Sequence, residues 1–159
     1  MSLSAFGVAS AWSLACFLAF FLFFRLVAYG GSSFIFFNPQ DYARANPEKT
    51  LPEYSKTANF DPFITQYTGM AKVMIGLAAA SISFGGLDVK YPNVLTAKML
   101  LAYSIAFALL FSIAVINFYE NYLHDLKSYT PSKIALVEAS GVTAMFCFAL
   151  GYGYWAWHL

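Results

Sequence analysis

Four ionisable residues stand inside or at the margin of long apolar runs: Arg25, Lys72, Glu120 and Glu138. A charge in such a place is costly unless it is hydrated or paired. Two cations and two anions sum to zero, so pairing within one layer near a membrane face would neutralise the set. Lys72 is the expected partner of Glu138, because a helical hairpin would bring both inward from the same face. Such a layer acts either as an ion gate or switch, or as a set of static pairs that fixes helix register. Structural ion pairs are common, and static pairing is the reading taken here.

A second constellation lies between the last two apolar runs. Glu120 and His124 are one helical turn apart, and Asp125 follows directly. A carboxylate and an imidazole at i and i+4 share a helix face and can share a metal ion. Two ligands do not complete a site, and His158 is expected at the opposite membrane face, which also argues against bis-histidine haem. The reading taken is a solvated polar turn with an i,i+4 hydrogen bond. No catalytic residue, metal or cofactor is expected.

Glu138, about one turn into its apolar run, is also the only carboxylate placed to relay a proton within the membrane. No second carboxylate accompanies it at mid-depth. The hydroxyls of Ser81, Ser83, Ser104, Ser112, Ser140 and Thr143 are scattered, and such groups usually bond to their own helix backbone. Cys16 and Cys147 each lie within an apolar run without a CxxC pair, so they read as small buried residues. Gly151-Tyr152-Gly153 lacks the third glycine and preceding strand of a nucleotide motif, and neither a P-loop nor HExxH occurs.

The elements that must position these residues follow from composition. The chain is 60% hydrophobic, 19% aromatic and only 11% charged, against about 25% charged in soluble domains. A water-soluble surface cannot be covered with so little charge, whereas a membrane surface can. The net charge of +1 implies no nucleic-acid partner. Residues 1–24 carry no charge, and the apolar run outlasts a signal-peptide core, so it reads as a retained span.

The expected architecture is all-α, a single membrane domain built as a bundle of four transmembrane helices. The spans fall at about 3–29, 62–84, 94–119 and 133–157. Gly30-Gly31 ends the first helix, and Asp61-Pro62 and Thr130-Pro131 are helix starts. The second span is the least apolar but is rich in small residues, and is expected to be the most enclosed. Two ladders of small residues recur at four-residue spacing: Gly7, Ala11, Ala15, Ala19 in the first helix, and Ala135, Ala139, Thr143, Cys147, Gly151 in the last. Both would allow close helix approach. The phenylalanines between Phe17 and Phe24 are expected to face lipid, and Tyr152, Tyr154, Trp155 and Trp157 to anchor the last helix at an interface.

Four spans place both termini on one side. Lys90 and Lys98 then lie on that side, while Arg25, Arg44, Lys49, Lys56, Lys72, Lys127 and Lys133 lie on the other. The positive-inside rule puts residues 31–61 and 120–133 in the cytoplasm and the termini outside. The functional expectation is a non-catalytic accessory or scaffolding subunit of a larger membrane complex. Besides the lipid bilayer, its partners would be other membrane subunits or further copies of itself, docking on the Phe-rich surface or the long connection. A homo-oligomeric channel or small transporter, and a sensor signalling through its cytoplasmic loop, are the alternatives.

Overall fold

The structure, a computed structural model, describes residues 3–29, 61–84, 92–124 and 131–157, with side chains over 6–27, 65–83, 94–117 and 132–157. The expected surface helices in the long connection lie outside the described residues. Four α-helices account for nearly all the rest: α1 Leu3–Tyr29, α2 Asp61–Phe84, α3 Pro92–His124 and α4 Pro131–Ala156. Proline marks three of the starts, at the first position of α3 and α4 and the second of α2. There its missing N–H costs nothing and its fixed φ suits the first turn.

The fold is a membrane bundle. Within α1, α3 and α4, the segments Phe6–Val27, Val94–Asn117 and Ser132–Ala156 are long and apolar enough to cross a bilayer. α2 is less apolar, because Thr65, Gln66, Thr68 and Lys72 interrupt its first half. Its packing nevertheless sets its depth. Ala71 belongs to one core cluster with Phe111, Val115 and Val137, and the Tyr152 hydroxyl donates to the Leu77 carbonyl at 3.2 Å. α2 thus runs beside the crossing segments of α3 and α4. Its 24 residues give about 36 Å of helix, enough for a hydrocarbon core of about 30 Å.

α3 and α4 form the central antiparallel pair, with α1 resting mainly on α4 and α2 on α3. Close approach within the pair rests on two glycines. A Cβ at Gly141 would lie 2.9 Å from the Phe111 ring, and one at Gly151 would lie 2.9 Å from the Leu101 side chain. α1 runs parallel to α3: Tyr103 donates to Ser10 at 2.6 Å, while Ser10 donates to the Phe6 carbonyl. Further along, Phe17 stacks on Phe107 with centroids 5.2 Å apart.

Two expectations are corrected. The most enclosed helix is α4, not α2: 61% of the α4 span is buried, against 44% for α3 and 11% for α1. α2 sits on the flank, so Gly76, Ala79, Ala80 and Ser83 turn outward while Ala71 and Ala78 face the core. Nor do the phenylalanines of α1 mainly face lipid. Phe24 is buried, and Phe17, Phe20 and Phe21 pack with it against Ala135 and Ala139 of α4; Phe23 is exposed. Alanines on one helix leave the space that rings on the other fill, as close packing requires.

Candidate functional site

The residue with most chemical potential in the interior is Glu138, which is 1% exposed. α4 places it about one and a half turns below the start of its crossing segment at Ser132. Its neighbours on α4, Ala135, Ala139 and Ser140, are also buried. Glu138 also lines a cavity of about 560 Å³ between α2, α3 and α4. The cavity exists because α2 leans on α3 and stands off from α4. Near the far end the two are tied together, where Ser81 and the Leu77 carbonyl bond to the Tyr152 hydroxyl.

Tyr67, Met74, Phe111 and Phe148 contribute to the walls, so the lining is overwhelmingly apolar, with Glu138 its one ionisable carboxylate residue. Gly69 widens it, since a Cβ there would meet nothing within 4 Å, while a Cβ at Gly141 would meet the Phe111 ring. The mouth lies between Met70, Val73 and Leu77 on α2 and Met145 on α4, all exposed. It therefore opens sideways, toward lipid. From Tyr67 to Leu77 on one bank, and Glu138 to Phe148 on the other, the groove extends about 15 Å.

Of the other residues singled out in the sequence, Arg25 and Lys72 are both exposed. Arg25 follows Phe24, which packs on Ala135 and Ala139, and Lys72 follows Ala71, which clusters with Val137. The three described members of the charge set therefore stand at a similar level of the bundle, two on its outside and Glu138 within. Glu120 and His124 belong to the last turns of α3, but their side chains lie outside the described residues, as does Asp125 altogether. No cluster of three or more His, Cys, Asp or Glu side chains occurs among the described residues.

The hydroxyls divide into three kinds. Ser112 and Ser140 bond to carbonyls of their own helices, at 2.8 and 2.9 Å. Ser13 does so too, at 2.8 Å, and accepts a 3.5 Å contact from the Cys147 thiol, tying α1 to α4. Ser81 bridges α2 to Tyr152. Ser104 Oγ and Thr143 Oγ1 are buried and have no hydrogen-bond partner among the described residues. Sequence reasoning identified Glu138 but missed the groove around it. Lining positions 70, 73, 74 and 77 of α2 recur at helical spacing, yet that spacing alone does not reveal that α4 stands away from them.

Compared with models of protein families, with curated proteins and with solved structures, the chain matches none.

Proposed function

We propose that this protein is a non-catalytic accessory subunit of a larger membrane assembly, and that the outer face of α1 is its docking surface. The observation that carries this reading is the orientation of the α1 ladder. Gly7, Ala11, Ala15 and Ala19 are all exposed, on the side of the helix opposite Ala9, Ser13 and Phe24, which are buried. A Cβ at Gly7 would meet no atom within 4 Å. Without a hydrophobic drive between helices in lipid, small residues are what allow backbones to approach closely enough for packing to hold them. Leu14, Leu18, Leu22 and Trp12 flank the ladder and are exposed, giving a partner helix larger side chains to pack around it.

In the proposed topology the four helices cross in alternation. The seven basic residues Arg25, Arg44, Lys49, Lys56, Lys72, Lys127 and Lys133 would lie on the cytoplasmic side with segments 31–61 and 120–133, and Lys90 and Lys98 with both termini outside.

The test is site-specific photocrosslinking in intact membranes, followed by native mass in mild detergent. A photoreactive residue at position 11 or 15 is expected to yield a defined protein adduct, either another membrane subunit or a second copy of this chain. One at Ile113, exposed on α3, is expected to yield lipid adducts. Lipid adducts alone from all three positions, with a monomer mass in detergent, would overturn the subunit reading.

A further inference from the structure

The groove between α2 and α4 has the features of a ligand site, and they do not depend on what α1 docks against. Its volume of about 560 Å³ lies within the roughly 300–1,000 Å³ of small-molecule pockets, which are mostly apolar with a few polar groups that fix orientation. Here the polar side chains of the lining are those of Glu138, which is 1% exposed, and Tyr67.

The shape and position of the groove narrow the class of ligand. Glu138 is the lining residue of α4 nearest its start, so it stands at the end of the groove closest to one membrane face. From there the apolar walls continue for about 15 Å, roughly half of a hydrocarbon core of about 30 Å. The mouth opens to lipid, so entry is lateral. Met70, Met74 and Met145 in the lining are flexible, polarisable side chains that adapt to a chain of variable shape. A carboxyl group accepts a hydrogen bond in either protonation state, and its two oxygens can serve several partners at once.

We propose that this groove binds a single-tailed amphiphile whose uncharged or cationic head donates a hydrogen bond to Glu138 while its tail lies along α2 toward the membrane centre. An anionic head is disfavoured by the carboxyl group, and a molecule without a donor makes no use of it.

The test uses the full chain in nanodiscs of zwitterionic phospholipid, titrated with hexadecanol, hexadecylamine, hexadecanoate and hexadecane, with occupancy read by native mass spectrometry. Hexadecanol and hexadecylamine are expected to bind one per chain, roughly tenfold or more tighter than hexadecane and hexadecanoate, the margin of one buried hydrogen bond. Glu138→Leu should abolish that preference. Gly69→Leu, which places a side chain where a Cβ meets nothing within 4 Å, should weaken all four probes alike. Equal binding of hexadecane and hexadecanol by the parent protein would reduce the groove to an acyl-chain crevice and overturn the proposal. So would unchanged hexadecanol binding in Gly69→Leu. Both readings remain decisive if Glu138→Leu fails to fold.

Discussion

The two ladders of small residues share a spacing and differ in what surrounds them. In α4, Ala135, Ala139, Thr143, Cys147 and Gly151 are all buried; in α1, Gly7, Ala11, Ala15 and Ala19 are all exposed. The large side chains are distributed the opposite way. α1 turns Phe17, Phe20 and Phe24 inward onto the alanines of α4, and α4 keeps Met145 and Tyr154 outside. A four-residue spacing of small side chains thus marks a surface that another helix can approach closely. Whether that helix belongs to the same chain depends on the complementary surface, here the rings of α1 and the Phe111 and Leu101 side chains of α3.

The largest effect is expected where the buried ladder is filled. A Cβ at Gly151 would lie 2.9 Å from Leu101 and 3.3 Å from the Ala97 carbonyl oxygen, and a backbone oxygen cannot swing aside. Gly151→Leu should cost about 1–3 kcal/mol or more through overpacking, read as a lower midpoint of thermal unfolding in mild detergent. Gly7→Leu makes the same change in the outward ladder and should leave the midpoint within about 0.5 kcal/mol of the parent. Equal losses at both positions would erase the distinction between the ladders.

An intermediate effect is expected where α2 is fastened to α4. Tyr152→Phe removes the hydroxyl that bonds to both Ser81 and the Leu77 carbonyl. Interhelical hydrogen bonds in membranes average about 0.6 kcal/mol and reach about 1.7, so a loss in that range is expected in the same unfolding measurement. Tyr103→Phe removes the single bond to Ser10 and should fall at the low end of the same range. A larger loss from Tyr103→Phe would mean that α1 is held more by polar contacts than by its phenylalanines.

Much of this architecture is readable from local chemistry. The prolines at 62 and 131 mark helix starts within a residue of those observed, because proline's constraints act within its own turn; Pro92, read as part of a turn before a helix from about 94, is itself the first residue of α3. The apolar lengths show which segments cross, because the bilayer sets that scale. What spacing does not encode is which helices are central. α2 is rich in Gly, Ala and Ser, as an enclosed helix would be, yet it flanks the bundle. Its neighbour α3 meets α4 through Gly141 and Gly151, leaving less of α4 for α2 to cover. The groove has the same origin. Glu138 is conspicuous as a carboxylate in an apolar run, but the space beside it follows from the gap between two helices far apart in sequence.

The smallest expected effect on stability is the one that most sharpens the comparison. Ala15 lies in the middle of the outward ladder and is exposed. Ala15→Leu therefore adds a side chain to a face that is exposed among the described residues, and the unfolding midpoint of the isolated protein should move by no more than about 0.5 kcal/mol. Association is a different matter. If a partner helix packs on the ladder, the added branches hold the two backbones apart, and a contact built on close approach is lost. Size-exclusion chromatography with light scattering, applied to material extracted gently from membranes, should then show the parent as a larger complex and Ala15→Leu as a smaller one of unchanged helix content. Replacement at Ile113, exposed on α3, by alanine should leave the complex intact, since nothing there favours close approach. If Ala15→Leu and its parent elute with the same mass, the outward ladder faces lipid alone. The difference between the two ladders would then reflect only how this single chain packs.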